Sequence, residues 1–205
     1  ASVLSAYGFQ IDHTLVETAF DLTFNEQGDL PSSTLGPFVA DALYWYANKI
    51  DPKGADFQLV PAGLIRDEIR KGQKGIQLPA DLFRILPLGS GAHDTSAGYS
   101  MAKVYLTGSE VKTVLEVMLI APKISTGNYG YWSGVRFKMN PLRMPLDQIY
   151  EVEIGNDTDG YQKIPLTKDP DKLYSLVTNT YVLDFLGLVK EITKGIFKVQ
   201  PKFED

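Results

Sequence analysis

The sequence contains no cysteine, which excludes disulfides, zinc–thiolate sites and a thiol nucleophile together. Histidine is scarce. His13 and His93 are the only two in 205 residues, too few for an imidazole-based metal site unless carboxylates supply most of the ligands. No apolar run approaches the ~20 residues that cross a bilayer. Basic residues are outnumbered, 20 Lys and Arg against 25 Asp and Glu, for a formal net charge of −5 and a pI near 5.1. That balance argues against a nucleic-acid backbone as partner. Gly-x-Ser-x-Gly, P-loop and Rossmann fingerprints are missing, as are internal repeats and charge blocks. The opening Ala1-Ser2-Val3-Leu4-Ser5-Ala6 has no basic region. It does not read as an intact signal peptide and fits the cut end of a longer chain.

What is present describes a folded domain: 44% hydrophobic, 22% charged and 11% aromatic residues, with 18 Gly and 12 Pro. A domain of this length buries roughly 70% of its unfolded surface and needs no metal or disulfide to stand. Loose alternation over residues 15–24 predicts a strand, and the turn formers of 25–35 a loop. Phe38, Val39, Ala42, Leu43, Tyr46, Ala47 and Ile50 fall at helical spacing, so an amphipathic helix is expected there, with Pro37 in its first turn and a stop at Asp51-Pro52-Lys53-Gly54. Tyr44 and Trp45 lie off that stripe and predict a second packing surface. Phe57 to Val60 reads as a buried strand, and residues 79–86 as a short helix with Pro79 at its start. Met101 to Leu106 predicts a strand, followed by a capping box, Thr107-Gly108-Ser109-Glu110, and a helix with Val111, Val114, Leu115 and Met118 on one face. Strands are expected at Tyr131–Met139, Ile149–Ile154 and Tyr174–Val177, and a helix over Val182–Ile192. The fold class is α+β, one domain with a mixed β-sheet and packed helices.

No catalytic constellation assembles from the residues. His93-Asp94 lies in the Gly/Ser-rich stretch 89–98 with no second histidine nearby and reads as solvated loop. Asn156-Asp157-Thr158-Asp159-Gly160 has the look of a calcium-loop start but lacks the closing Glu, Thr167 standing at the twelfth position, and reads as a turn between strands. Arg66 differs. It follows a buried strand and Gly63, whose missing side chain lets a backbone approach a ligand. Its guanidinium suits bidentate contact with a phosphate or with sugar hydroxyls. The equally weighted alternative is an ion pair with Asp67, Glu68 or a remote carboxylate.

Four stretches in order resemble the C-terminal domain of the 5′-nucleotidase family, which includes UDP-sugar hydrolases and 2′,3′-cyclic-nucleotide phosphodiesterases. They are Leu35-Gly36-Pro37-Phe38-Val39-Ala40-Asp41-Ala42-Leu43, Gly54 through Ala62-Gly63-Leu64-Ile65-Arg66-Asp67-Glu68-Ile69, Leu82-Phe83-Arg84-Ile85-Leu86-Pro87-Leu88-Gly89, and Leu106-Thr107-Gly108-Ser109-Glu110-Val111-Lys112. A fifth, Asp169 to Tyr181, keeps the order. The resemblance implies a substrate-binding domain, residues 30–205, with 1–29 leading in from an absent N-terminal metallophosphoesterase domain. That partner domain would hold a pair of divalent metals and the catalytic His-Asp pair; no cofactor is expected in this chain. It also implies a nucleotide or related phosphoester as ligand, and a periplasmic or secreted location.

Carried over position by position, the family's Arg after Gly-Gly-x-Ile falls on Arg66, with Gly63 in the glycine pair. Its two base-stacking aromatics fall on Leu88 and Tyr181. Leu88 can cover a base but cannot stack on it. The family's Asn residues become Pro61 and Pro37, and its ribose-binding Asp becomes Gly187. The stretch 89–98 is longer than the family's turn, so His93 and Asp94 inherit no role. Two expectations follow: a divergent nucleotide-binding domain using Arg66, Gly63, Leu88 and Tyr181, or a degenerate packing module of the same fold.

Overall fold

The structure, a computed structural model, describes residues 8–87 and 99–183. In chain order its main elements are β1 (Val16–Glu17), α1 (Leu35–Ile50), β2 (Phe57–Pro61), β3 (Ile76–Gln77), α2 (Pro79–Ile85), β4 (Met101–Thr107), α3 (Gly108–Ile120), β5 (Gly130–Ser133), β6 (Val135–Met139), β7 (Ile149–Asn156), β8 (Gly160–Lys163) and β9 (Leu173–Asn179). Every residue of β2 is buried, which suits a central strand. It lies inside a four-stranded mixed sheet of order β4-β9-β2-β5. β2 runs antiparallel to β5 (Leu59 opposite Trp132) and parallel to β9 (Gln58 opposite Val177). β9 runs antiparallel to β4 along its whole length. The carboxyl ends of β2 and β9 therefore lie at the same end of the sheet. β6, β7 and β8 form a second, antiparallel sheet, and β1 pairs with β3.

Alternation along the strands sends side chains to two cores. On one face, Phe57, Leu59, Val104, Leu106 and Leu176 pack with Val111, Val114, Leu115 and Met118 of α3 and with Val135, Ile149 and Val152 of the second sheet. On the other, Val60 and Tyr131 pack with Leu35, Val39 and Ala40 of α1 and with Leu64, Ile65 and Ile85. The capping box forms as predicted: the Glu110 N–H donates to Thr107 Oγ1 (3.3 Å) and the Thr107 N–H donates to Glu110 Oε2 (2.8 Å). Glu116, on α3, is buried and accepts the Ile149 N–H, tying the start of β7 to the helix.

Four expectations change. The helix of 35–50 is real, but its buried face is Leu35, Gly36, Val39, Ala40 and Ala47, leaving Phe38, Tyr46 and Ile50 exposed. Small residues let this helix sit close on the sheet; a Cβ at Gly36 would lie 2.2 Å from the Tyr131 ring. Trp45 does not pack either: it is 62% exposed, with Lys49 Nζ 4.7 Å above its ring. The predicted strand 131–139 is two strands in different sheets, broken at Gly134 (φ +79°), where a side chain would meet the Asp56 carbonyl. The strand expected over 15–24 shrinks to Val16–Glu17 and an isolated Leu22–Ile69 bridge, because its apolar residues find little to cover them; Phe20 is 63% exposed. The Asn156–Gly160 segment is the β7–β8 hairpin turn, with Asn156 Oδ1 accepting the N–H groups of Thr158 and Asp159.

Candidate functional site

The loops that leave the carboxyl ends of the parallel strands β2 and β9 carry Arg66 and Tyr181. Crevices at such strand ends are where ligands bind in open sheets with parallel strands. After β2, a 3-10 turn (Ala62–Leu64) leads to Arg66. The Arg66 N–H donates to the Ile85 carbonyl at 2.8 Å, fixing this loop against the end of α2. The Arg66 side chain is exposed. The carboxylates beside it are engaged elsewhere: Asp67 pairs with Arg84 (2.6 Å) and accepts the Glu68 N–H (2.8 Å), and Glu68 pairs with Arg70 (2.7 Å). Among the described residues no ion pair or hydrogen bond holds the Arg66 guanidinium. The ion-pair alternative is not realised there.

Gly63 makes its close approach to protein rather than to open space. A Cβ there would lie 3.1 Å from the Gly127 carbonyl oxygen, so the missing side chain lets two turns touch. After β9, Asn179 caps a helical turn that begins at Thr180, its Oδ1 accepting the Val182 N–H at 2.9 Å. Tyr181 is on that first turn, 46% exposed, its ring 5.7 Å from Tyr99 and tilted 41°. Leu88, His93, Asp94, Gly187 and most of the expected helix 182–192 lie outside the described residues.

Among the described elements, α1 packs chiefly on β2 and β5 rather than on β9 and β4. A cavity of about 140 Å³ is lined by residues that include Gln58, Leu43, Val60, Leu64, Leu86 and Tyr99. Gln58 is 1% exposed, and its Oε1 is buried with no hydrogen-bond partner among the described residues. Gln58 and Tyr99 line this cavity, and sequence reasoning passed over both as candidates. The available signal for Gln58 was one amide inside the apolar run Phe57–Val60. For Tyr99 it was the period-two series Tyr99, Met101, Lys103, Tyr105 that starts after the glycine-rich stretch. A second groove of about 270 Å³, lined by Phe9, Leu15, Pro79, Leu82, Phe83 and Leu86, has no polar side chain among the described residues with which to orient a ligand.

The model of the "5′-nucleotidase, C-terminal domain" family matches residues 11–187. The chain belongs to that family. As a 5′-nucleotidase C-terminal domain it is also similar in fold to solved structures. A 5′-nucleotidase precursor from Thermus thermophilus superposes with a TM-score of 0.64 at 21% identity, over 88% of this chain and 32% of that one. The NAD nucleotidase of Haemophilus influenzae gives 0.63 at 22% identity, over 84% of this chain and 29% of that one. The domain thus spans about a third of the length of these solved relatives. No curated protein matches it by sequence. Among the described residues, no cluster of three or more His, Asp or Glu is placed to hold a metal ion, and no helix is long and apolar enough to cross a membrane.

Proposed function

We propose that this domain holds the nucleotide, or a related phosphoester, for a divergent 5′-nucleotidase-like hydrolase. The two-metal chemistry would belong to a metallophosphoesterase domain outside this chain, in a periplasmic or secreted protein. The observation that carries this reading is Arg66. Its backbone is pinned to Ile85, its side chain reaches solvent, and each neighbouring carboxylate is already held by another arginine. A guanidinium kept free in this way suits a phosphate, which it can grip with two parallel N–H groups. Tyr181, at the end of the adjacent parallel strand, offers an aromatic face for a base. The nucleotidase names of the solved relatives support a phosphate-bearing ligand. Pro61, with no amide to offer, and Leu88, with no π face, favour an altered specificity over an inherited one.

The test is an NMR titration of the chain with adenosine, uridine, AMP and UDP-glucose. AMP or UDP-glucose is expected to shift amides near Arg66 and Tyr181. Arg66→Ala should weaken the phosphate-bearing ligand by at least ~1.5 kcal/mol, about tenfold, because hydrogen bonds to charged groups are worth that much. Unchanged affinity would refute the role of Arg66. A second reading, a packing module that has lost nucleoside binding, is favoured by the bare outer face of α1, where Phe38, Trp45, Tyr46 and Ile50 are all exposed. Silence toward all of these ligands at millimolar concentration would decide for it.

A further inference from the structure

We propose that the loop joining β6 to β7 seats the domain on an anionic lipid surface, with Leu142 and Met144 entering the layer and the cations around them facing its headgroups. Leu142 is 93% exposed and Met144 78%, more than any other large apolar side chain among the described residues. Pro141 and Pro145 beside them are exposed as well, and so are Met139 and Tyr150 at the adjoining ends of the strands. Apolar side chains scattered singly on a surface need no explanation, but a cluster at one tip marks a contact. The loop is firmly built. Two proline-led turns follow one another: the Arg143 N–H donates to the Asn140 carbonyl (3.1 Å) across Pro141 and Leu142, and the Asp147 N–H donates to the Met144 carbonyl (3.0 Å) across Pro145 and Leu146. Asn140 Oδ1 accepts the Leu142 N–H (3.0 Å), and Gln148 Nε2 donates to the Pro141 carbonyl (3.2 Å). Lys112 of α3 and Arg143 both pair with Asp147 at 2.6 Å. The fold therefore fixes in place a tip whose apolar side chains it does not bury.

The charges around the tip favour an anionic layer over a second protein. Lys112 and Arg143 share Asp147, and Lys138 and Lys163 share Glu151. Four cations on two carboxylates leave two positive charges unbalanced there, in a chain whose formal net charge is −5. Glu153 lies further from the tip, opposite Arg136 and Lys163, and Asp157 is paired with Arg136. A stable protein interface uses about 20–30 residues a side and keeps charge out of its core. This tip is only Pro141 to Pro145, with Arg143 in its middle. A lipid surface demands no matching shape: a few apolar side chains enter the acyl boundary while Lys and Arg reach the headgroups. The loop belongs to the second sheet, whereas Arg66 and Tyr181 follow strands of the first, so the inference goes beyond the nucleotide reading and does not rest on it.

The test is co-sedimentation of the chain with vesicles of pure phosphatidylcholine and with vesicles of phosphatidylcholine and phosphatidylglycerol in equal parts. The mixed vesicles should bind the chain, and added salt should weaken that binding by screening the cations. The double variant Leu142→Ser, Met144→Ser should bind roughly tenfold more weakly per side chain removed, the worth of burying one such group. Its melting temperature should match the parent's, since the fold packs against neither side chain. The variant Phe38→Ser, Trp45→Ser, on the outer face of α1, should bind as the parent does; a loss there would assign the contact to α1 and overturn the proposal. Absence of binding to the mixed vesicles overturns it, as does equal binding to pure phosphatidylcholine, and neither result needs a variant. Binding that the Leu142 and Met144 variant keeps in full overturns it too. Sedimentation equilibrium covers the competing occupant: a dimer that this variant abolishes would assign the tip to a second copy instead of a lipid surface. AMP titrated into the same variant should bind as in the parent, so either reading can fail while the other stands.

Discussion

Adding one methyl group at Gly36 tests how closely α1 packs on the sheet. The helix carrying Gly36 lies so near the sheet that an ideal Cβ would be 2.2 Å from the Tyr131 ring carbon bearing the hydroxyl. Tyr131 cannot simply step aside: it is 4% exposed, its hydroxyl donates to the Leu30 carbonyl at 3.0 Å, and its ring meets Tyr129 edge-on at 5.1 Å. Overpacking a core site costs about 1–3 kcal/mol. If the ring moves enough to break its hydrogen bond, a buried carbonyl is left unpaired at about 1–3 kcal/mol more. The gain in helix propensity from Gly to Ala returns about 1 kcal/mol. The net expectation for Gly36→Ala is a loss of about 3 kcal/mol, read as a shift in the urea midpoint at unchanged m-value. In a domain of this size that corresponds to a fall in Tm of roughly 6–12 °C. Introducing Gly36→Ala into a Tyr131→Leu background should cost much less, because the two positions are in contact and their effects are coupled. A Gly36→Ala variant as stable as the parent would refute the claim that small residues set the helix–sheet distance.

Two further outcomes follow from the geometry. Gly134→Ala forces a side chain into the left-handed region (φ +79°) with its Cβ 2.5 Å from the Asp56 carbonyl oxygen. It should cost at least ~2 kcal/mol in a urea melt, strain and clash together, and a cost near zero would mean the two sheets need no fixed corner. Asp51 caps the end of α1 and accepts a hydrogen bond from Lys103, which holds its carboxyl below the usual carboxylate range. A depressed carboxylate stabilises the fold above its unfolded pKa, about 3.9, and loses that contribution as pH falls through the folded value. Asp51→Asn should therefore be less stable than the parent at neutral pH, the gap closing on acidification. A gap that stays constant down to about pH 2 would show that titration of Asp51 contributes nothing.

Legibility in the sequence followed the strength of local physics. The α3 cap could be read because Thr107 and Glu110 satisfy each other within four residues, and β2 because a continuous apolar run between turn formers suits a central strand. The face of α1 could not. Spacing alone weights Phe38, Tyr46 and Ile50 by hydrophobicity, while the fold uses Gly36, Ala40 and Ala47 for closeness. A partner ring 95 residues away in sequence, Tyr131, decides the matter, and no local window contains it. The break at Gly134 was missed for the same reason, since its cause is the carbonyl of Asp56, the residue just before β2. At the candidate site, family motifs singled out Arg66 and Tyr181, which the structure puts on the loops after β2 and β9. Gln58 was not singled out, because one amide in an apolar strand has meaning only once its neighbours and the cavity are known.

Pro61 shows why family membership and ligand are separate questions in this domain. Proline removes a backbone donor at the end of β2, at the position where the resemblance puts an Asn of the family's motif. The sheet absorbs the loss without visible damage: Pro61 still stands opposite Gly130, and the next residue, Ala62, donates its N–H to the Tyr129 carbonyl at 2.7 Å. Pro61 is the last residue of β2, and the pairing of β2 with β9 is at Phe57 and Gln58, short of it. The fold therefore does not require an asparagine at this position. Arg66, four residues after Ala62, is the opposite case. Nothing in the described fold holds its guanidinium, and the acidic neighbours that might have are paired with Arg84 and Arg70. A side chain that packing and ion pairing do not require must be explained by a ligand or by chance. That makes Arg66→Ala, read by phosphate affinity with stability as the control, the substitution that separates a binding domain from an inherited shell.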